Sequence, residues 1–488
     1  MKVRPNTIDT CVLNALDGLY RRFADNDLLI VRHLKMEEGR PVASLAYLSA
    51  IVDEQFLNGE LIGTLSDDHR GTAEHKDASY MELMNRLGKA KQLMRMEDVV
   101  QFISDAGIVL FLEGRFEAYG ITLPGYETRA VEEPKSEVNV RGPREGFTED
   151  LQTNLGMVYR RLKTPELKSV AIKIGQQSQT KVTILYLKNQ VNESVLAEVK
   201  KRLNAVRMNV LIDSAQLEEL IQDSTYSPFS QILNTERPDR VITALNRGKT
   251  AIMIDGTPNA LLAPSSFTDF LHPSEDLYER FYFANFLRIL RLITLFISLF
   301  GPSLYIALTT FHLEMIPTPL MLTFLSTKAG IPFPTFIEAL IMEVAFEVLR
   351  EASLRLPRVV GQSVSIVGAL IIGETAVDAG IVSRPMVIVV AMTGIASFTI
   401  PQFSTAISLR MLRFPLMFLA ASMGVFGLAL GMFTITLHLC SLRSFGNHYF
   451  VLFDGKGWRN VLESYILFPI QHRKLKSWGE DQQNDEAR

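Results

Sequence analysis

The chain changes character near residue 287, where a charge-rich part gives way to long apolar runs. Leu292 to Phe311 and Pro385 to Leu409 carry no charged residue, and Phe414 to Leu442 carries only His438. Each run reaches the ~20 residues that cross ~30 Å of hydrocarbon as a helix. These runs predict transmembrane helices, because soluble helices of this length usually keep a polar face.

Two further apolar segments contain charges. Gln362 to Ser383 includes Glu374 and Asp378, and Phe333 to Arg358 includes a set of acids and arginines. Four of that set fall within one helical arc, namely Glu343, Glu347, Arg350 and Glu351. This segment therefore lies along the membrane interface or lines a polar interior. The membrane part is predicted to have about four to five spans, with the side of the tail left open.

The polar part reads as α/β, with strand candidates at Ala43 to Val52 and Val182 to Leu187 and a helix at Ser194 to Val206. Val131 to Arg144 reads as a linker between two halves. The predicted fold class is an α/β cytoplasmic part of two related subdomains, followed by an all-α polytopic membrane domain. The predicted domains are residues 1–133, 134–275, 276–446 and a polar tail, 447–488.

The two halves of the polar part end alike, in a helix, a strand, a glycine-containing turn and a return strand. The matched positions are Asp98 with Asp239, Gly107 with Gly248, and Gly114 with Gly256. The first two pairs have the same separation along the chain, and the third pair is one position farther apart. A recurrence at such regular spacing predicts a duplicated α/β unit with the same strand order in both copies.

Composition narrows the function classes. The 488 residues carry a net charge of -3 and a mean hydropathy of +0.14, and no basic stripe suggests nucleic acid. Two cysteines, Cys11 and Cys440, cannot build a disulfide framework. The amino terminus lacks an apolar signal region, and Arg288 and Arg291 precede the first run. The polar part is therefore predicted on the cytoplasmic side.

Motifs for catalysis give no positive signal. Gly248-Lys249-Thr250 resembles the end of a phosphate loop, but Thr243 stands where that motif needs glycine. A second group, His69, His75, Asp67 and Asp68, lies in a polar segment that reads as a solvated loop. We therefore predict no enzyme activity, no cofactor and no metal site.

The carboxylates in apolar surroundings are the unusual residues. A charge at mid-bilayer costs roughly 2.5 kcal/mol or more, so Glu374 and Asp378, one turn apart, are expected to face a protein interior or a water-filled path. The candidate pore-lining residues are Val364, Gly368, Glu374 and Asp378. The alternative is an interfacial pair, since Asp378 lies six residues before Arg384.

Several blocks resemble the GerA family of spore germination proteins, specifically the A subunit of germinant receptors. They include Val140-Arg-Gly-Pro-Arg-Glu-Gly-Phe147, Glu314-Met-Ile-Pro-Thr318, Phe346-Glu-Val-Leu-Arg-Glu-Ala352, Arg413-Phe-Pro415 and Leu442-Arg-Ser-Phe-Gly446. The similarity runs from about Asp53 to Gly446. After Gly446 the chain departs from the Pro-rich run that the family commonly shows.

The resemblance implies a multi-pass protein of the spore inner membrane that helps trigger germination. It further implies a homo-oligomeric ring, expected as a pentamer, that conducts monovalent cations when nutrient binds. The implied partners are a nutrient-binding, transporter-like B subunit, a C-subunit lipoprotein and membrane lipid, with no nucleic acid. The nutrient is not readable here, because the family places that pocket in another subunit.

Three alternatives remain open beside this interpretation. One is an accessory germination channel similar to SpoVAF of the same superfamily, and another is a scaffold or signalling subunit without conduction. A secondary transporter would show paired broken helices in an inverted repeat, whereas one broken region is found here, spanning Ile316 to Pro319 and Gly330 to Pro334.

The linker supplies a second group of candidate functional residues. Arg141, Arg144 and Glu145 surround Gly142 and Pro143, which read as a rigid turn before a helix beginning near Phe147. Charge pairs at this turn are predicted to fix the two soluble halves relative to each other. The alternative is a solvated turn without a role.

Overall fold

The structure is a computed structural model that describes residues 8–37, 40–67, 89–125, 134, 137, 139–357, 368, 373–450 and 465–469. Two compact units can be distinguished. The first contains the described residues up to Thr225 together with Ile232–Pro264, and the second contains Tyr226–Gln231 and the described residues from Ser265 on. The domain borders at residues 133, 275 and 446 remain predictions.

The first half of the N-terminal unit builds an antiparallel sheet with strand order β1-β2-β4-β5-β3. Its strands are β1 (Leu29–Glu37), β2 (Arg40–Leu48), β3 (Lys91–Leu93), β4 (Gly107–Leu112) and β5 (Ala118–Thr122), and its helices are α1 (Val12–Arg22), α2 (Glu54–Asp67) and α3 (Met96–Ser104). All of β4 is buried, as expected for a central strand covered by helices. Helices α1 and α3 pack on this sheet and on each other.

The second half repeats the arrangement with the order β6-β7-β9-β10-β8. Its strands are β6 (Leu167–Ile174), β7 (Thr180–Leu187), β8 (Leu233–Thr235), β9 (Thr250–Ile254) and β10 (Ala260–Ala263), and its helices are α4 (Leu151–Arg161), α5 (Glu193–Ala205), α6 (Ser214–Ile221) and α7 (Pro238–Asn246). Side-chain caps from Asp150, Asn192 and Asp213 start three of these helices. Helix α7 instead starts with Pro238, whose missing N–H costs nothing at a helix start.

The strand orders confirm the predicted duplication. Numbered within each half, both sheets read 1-2-4-5-3, and every neighbouring pair is antiparallel. In both halves, the helix that precedes the first strand packs on the helix that precedes the central strand. Helix α1 packs on α3, and α4 packs on α7. A shared topology with a nearly constant spacing is what a duplicated unit requires.

A capping interaction is repeated as well. In each half, a carboxylate in the turn after the central strand accepts from the first N–H of the opening helix, and the following glycine donates to the carbonyl before that helix. The first half pairs Val12 with Glu113 and Gly114 with Thr10, and the second pairs Leu151 with Asp255 and Gly256 with Glu149. The carboxylate satisfies a helix N–H that would otherwise lack a partner.

The two halves meet along β6, an edge strand of the second sheet. The N–H of Asp27 donates to the carbonyl of Ser169 at 2.9 Å, and the ammonium of Lys168 donates to the carbonyl of Arg22 at 2.8 Å. Burial lowers the pKa of Lys168. Covering β6 in this way removes an edge that could pair with another chain.

Close backbone contact also joins the halves at Gly156 in α4. A Cβ added there would lie 2.6 Å from the carbonyl oxygen of Ala50, closer than real Cβ atoms come. Gly156→Ala is therefore expected to push α4 from the turn after β2 and lower the melting temperature of the full chain by several degrees, corresponding to about 1–3 kcal/mol.

Gly59→Ala is the matched control, because a Cβ on this residue of α2 meets nothing within 4 Å. Alanine favours a helix over glycine, so this variant should melt at or above the wild-type temperature. Equal melting of the two variants would contradict a close contact at Gly156.

The second unit is helical. It contains α8 (Phe267–Leu271), α9 (Phe281–Thr310), α10 (Thr318–Lys328), α11 (Thr335–Arg355), α12 (Arg384–Phe398), α13 (Phe403–Ser441) and a small hairpin of β11 (Arg443–Ser444) and β12 (Asn447–His448). Among the described residues, two helices are long and apolar enough to cross a membrane, α9 and α13. The predicted fold class is thus confirmed, with α/β sheets followed by a helical part that contains candidate spans.

Helix α13 is sharply folded at Gly424, whose φ of 62° is not helical. A Cβ on Gly427 would lie 2.1 Å from the carbonyl oxygen of Leu419, and one on Gly431 would lie 2.3 Å from Cδ2 of Leu416. In a straight helix, even Leu419 and Gly427 would be separated by roughly 12 Å, at about 1.5 Å per residue. The helix is therefore a hairpin of two antiparallel legs, 403–423 and 425–441.

The open ends of this hairpin meet the same short segment. The hydroxyl of Ser408 donates to the carbonyl of Pro228, and Nε2 of His438 lies 2.9 Å from the hydroxyl of Ser227. The run from Phe414 to Leu442, predicted as a transmembrane helix, overlaps a candidate span and is divided at Gly424. Both legs are about one bilayer long, at roughly 25–30 Å each.

The uncharged run from Pro385 to Leu409 is also divided. Helix α12 ends at Phe398, and α13 starts at Phe403, after Pro401, which cannot donate a helical hydrogen bond. Composition could not reveal the break at Gly424, because the residues around it are as apolar as the helix itself, whereas Pro401 marks the other break in the sequence.

Candidate functional site

The predicted pore segment is described in part. Residues 373–378 are helical and expose both Glu374 and Asp378, whereas Val364 lies outside the described residues. A Cβ on Gly368 would lie 2.7 Å from Cδ2 of Leu349, so this glycine packs against α11. The structure places these acids one turn apart on an exposed face, and their role in a pore remains a prediction.

The linker residues lie at a defined turn. Gly142 has a φ of 118°, a conformation that glycine adopts readily, and the carbonyl of Pro143 accepts from the guanidinium of Arg237 at 2.7 Å. Glu145 accepts from Arg160 and Arg161 at 2.6 Å each. The helix expected near Phe147 begins instead at Leu151, because Asp150 is its cap.

These linker contacts are made to the second half of the N-terminal unit. The contacts described above between the two halves involve residues 22–27 with β6, and Gly156 with Ala50. Arg141 and Arg144 are exposed and have contacts of their own. Coupling through residues 141–145 remains a prediction.

The interior of the helical unit contains an ionic network that joins three helices. Arg413 of α13 and Glu343 of α11 form an ion pair whose side chains are 2% and 1% exposed. The same guanidinium donates to the carbonyl of Ser298 in α9 at 2.9 Å. One turn along, Glu347 accepts from Arg410 at 3.1 Å. Buried charges are tolerated when they are paired in this way.

Arg350 adds a third cation to this network. Its guanidinium donates to Glu347 at 3.2 Å and to the hydroxyl of Ser397 in α12 at 3.0 Å, and it lies over the rings of Phe346 and Phe398. The stacked rings add cation–π attraction to the hydrogen bonds. Arg350 thereby connects α11 to α12.

Helix α11 is polar on its inner face and apolar on its outer face. Glu338 and Glu343 are buried, whereas Ile341, Val344 and Val348 are 38%, 47% and 62% exposed. A helix in water would show the reverse pattern. Of the two alternatives for this segment, the structure favours the polar interior, and the outer face suits contact with lipid.

A second cluster of buried charges lies where α9 begins. Asp276 accepts from Arg288 at 2.9 Å and from both terminal nitrogens of Arg291, and its side chain is 2% exposed. Burial, aided by Arg288, lowers the pKa of the neighbouring His272 to about 3, so this ring is neutral at pH 7. Arg288 and Arg291, which the sequence analysis used to orient the polar part, thus also clamp a carboxylate.

A cavity of about 190 Å³ lies between the two halves of the N-terminal unit. Ser49 and Ala50 contribute to it from the first half, and Thr153, Gly156 and Arg160 from the second. This volume admits a few water molecules or a small polar group.

Sequence reasoning missed the pairing of Arg410 and Arg413 with the acids of α11. The signal was present, because Glu343 and Glu347 are one turn apart on α11 and Arg410 and Arg413 are one turn apart on α13. The sequence did not show that α11 packs antiparallel on α13, and this packing is what pairs the two acids with the two arginines.

Comparisons with known proteins agree over most of the chain. The family model described as "Bacillus/Clostridium GerA spore germination protein" matches residues 17–477. Spore germination protein KA of Bacillus subtilis (strain 168) is 42% identical over 465 residues, which cover 94% of this chain and 86% of that protein. A second protein of the same strain, named Uncharacterized membrane protein YfkQ, is 46% identical over 378 residues, covering 77% and 73%.

One solved structure is similar to the N-terminal part. It is the N-terminal domain of the A subunit of the Bacillus megaterium spore germinant receptor GerK3, with 28% identity and a TM-score of 0.41. The match covers 54% of this chain and 97% of that chain.

Proposed function

We propose that this chain, which belongs to the GerA family of spore germination proteins, is the A subunit of a germinant receptor in the spore inner membrane. The observation that carries the proposal is the family match, which spans both the α/β unit and the helical unit. The blocks around Val140 to Phe147 and Leu442 to Gly446 support the A-subunit assignment. The expected partners are a B subunit that binds the nutrient and a C-subunit lipoprotein.

The helical unit supports a membrane location. Helix α9 and the two legs of α13 are apolar and about long enough to cross a bilayer. The charges of α11 are turned inward and paired, while its outer face is apolar. With Arg288 and Arg291 ahead of the first apolar run, this arrangement suits a multi-pass protein whose α/β unit lies on the core side.

Cation conduction is the mechanism that we propose for this subunit. Glu343 and Glu347 are neutralised by arginines, and Glu338 accepts from the N–H of Ser383. Glu374 and Asp378 are instead exposed on a largely apolar unit, where contact with lipid would be costly. Copies arranged around an axis, expected as a pentamer, would place these acids in rings that attract cations.

Reversal potentials test this mechanism. The full chain is reconstituted in liposomes across a KCl gradient, and a cation path predicts a potential close to that of K⁺. Glu374→Gln and Asp378→Asn should each move it toward zero, because the rings lose negative potential. Val364→Ala should increase leak by widening a constriction.

Glu314→Gln is the matched control, since Glu314 is an exposed acid of the same unit outside the predicted pore. It should leave the reversal potential unchanged. An unchanged potential in both Glu374→Gln and Asp378→Asn would remove these acids from the path and favour the interfacial pair. No current in any variant, with normal assembly, would favour a scaffold role.

A further inference from the structure

The contact between α11 and α13 has an antiparallel register. Glu343 pairs with Arg413, and Glu347, one turn later on α11, pairs with Arg410, nearly one turn earlier on α13. Near the start of α11, Phe336 meets Phe418 at a ring separation of 6.4 Å. Three contacts thus define one alignment of the two helices.

The acids of α11 recur with a spacing that permits a second alignment. Glu343, Glu347 and Glu351 are each four residues apart. A slide of α11 by four residues, about 6 Å toward its own amino-terminal end, would bring Glu347 opposite Arg413 and Glu351 opposite Arg410. Both arginines would keep a carboxylate partner, so the slide would leave neither of them buried and unpaired.

The resting alignment leaves unused hydrogen-bonding capacity where the slide would lead. One carboxylate oxygen of Glu343 has no hydrogen bond among the described residues. The slide would carry Glu343 to the level of Ala339, which packs in one cluster with Tyr305 and Met386. There the buried hydroxyls of Tyr305 and Ser383 have no hydrogen-bond partner other than each other within the described part of the chain.

The ends of α11 fit such a movement. Before it, Gly330 has a φ of 98° and Pro334 precedes the first residue, so the connection is a turn and not a continuous helix. Beyond the network, Glu351 is exposed and pairs with Arg355, also exposed, at 2.6 Å. Exposed pairs of this kind contribute little, so Glu351 can exchange partners at small cost.

We propose that α11 switches between two registers on α13, a resting register with Glu343 on Arg413 and an active register with Glu347 on Arg413. One-turn shifts of one element past another are a known form of switching in proteins. This inference rests on the proposed receptor function, because it identifies the movement that accompanies opening. Glu343 and Glu351 are positioning residues, each used in one register only.

Disulfide crosslinking reads the register without any need for conduction. In the full chain carrying Cys11→Ser and Cys440→Ser, the pair Phe336→Cys with Phe418→Cys reports the resting register. The pair Leu340→Cys with Phe418→Cys reports the active one, because Leu340 lies one turn after Phe336. The first pair should crosslink strongly in membranes and the second weakly.

Two charge-removing variants should then act in opposite directions. Glu343→Gln removes only the resting partner of Arg413 and should raise the Leu340–Phe418 crosslink about three- to tenfold, the range expected for one polar interhelical contact. Adding Glu351→Gln should cancel that rise. Arg355→Gln is the control, since it removes the present partner of Glu351 and keeps the carboxylate, and it should not cancel the rise.

A charge swap distinguishes a change of register from a loss of folding. Glu343→Arg with Arg413→Glu keeps the resting pair, but in the active register it would set Glu347 against a second carboxylate. This double variant should accumulate to the wild-type protein level, and its Leu340–Phe418 crosslink should stay at or below that of wild type. Crosslinking that is the same in wild type and Glu343→Gln would overturn the two registers, whatever the liposome currents show.

Discussion

Gly427→Ala is expected to prevent closure of the α13 hairpin and to abolish accumulation of the full chain in membranes. The new Cβ would lie 2.1 Å from the carbonyl oxygen of Leu419, where real Cβ atoms stay beyond 3.0 Å. The obstacle is backbone, so no change of rotamer relieves it, and the legs must separate. Separation also loosens Gly431 from Leu416, and the total cost is expected to reach at least the roughly 1–3 kcal/mol of ordinary overpacking.

The measurement is the amount of full chain in the membrane fraction, together with the melting temperature of any protein that detergent extracts. Gly373→Ala is the control, because a Cβ there would lie 3.5 Å from Cγ1 of Val387, an ordinary contact distance. It should match wild type. Normal accumulation and melting of Gly427→Ala would show that the legs are not closely packed.

The duplicated α/β unit could be predicted from the sequence because its signals are local. A short run of apolar and β-branched residues marks β7, and the matched Gly114 and Gly256 mark the two equivalent turns. A strand pattern and a turn glycine act over a few residues, so a recurrence at regular spacing survives without knowledge of packing.

The hairpin at Gly424 could not be predicted in the same way. Gly424 lies in a run of apolar residues that also contains Gly427 and Gly431, and three glycines at such spacing are typical of packed membrane helices. The contacts of Gly427 with Leu419 and of Gly431 with Leu416 show that the chain returns on itself, and no local pattern predicts them. The uncharged length alone indicated one span where two legs exist.

The sequence predicted that the charges of α11 share one face, but not that they form ion pairs with another helix. Helical periodicity placed Glu343 and Glu347 together, yet their partners, Arg410 and Arg413, lie far later in the chain, on another helix. A pairing over that separation depends on how helices pack, which no local pattern encodes. For the same reason the sequence did not link Asp276 to the arginines of α9.

Asp276→Ala should produce the second large effect, a loss of about 3–5 kcal/mol of stability in the helical unit. The carboxylate is the shared partner of Arg288 and Arg291, whose side chains are 8% and 13% exposed. Without it, two guanidinium groups remain in a poorly hydrated site and lose their charged acceptor. Because the cost of one unpaired buried charge exceeds that of most lost contacts, the full chain in detergent should melt many degrees lower.

Glu198→Ala is the control that separates the effect of burial on stability from the effect of the number of ion pairs. Glu198 also pairs with two cations, Lys201 at 3.1 Å and Arg202 at 2.9 Å, but its side chain is 31% exposed. Water replaces its contacts, so the loss should stay below about 1 kcal/mol. Asp276→Asn should fall between the two, because the amide oxygen still accepts one hydrogen bond but carries no charge. Equal melting of Asp276→Ala and Glu198→Ala would mean that Arg288 and Arg291 reach water when the carboxylate is removed, and that Asp276 does not hold the start of α9.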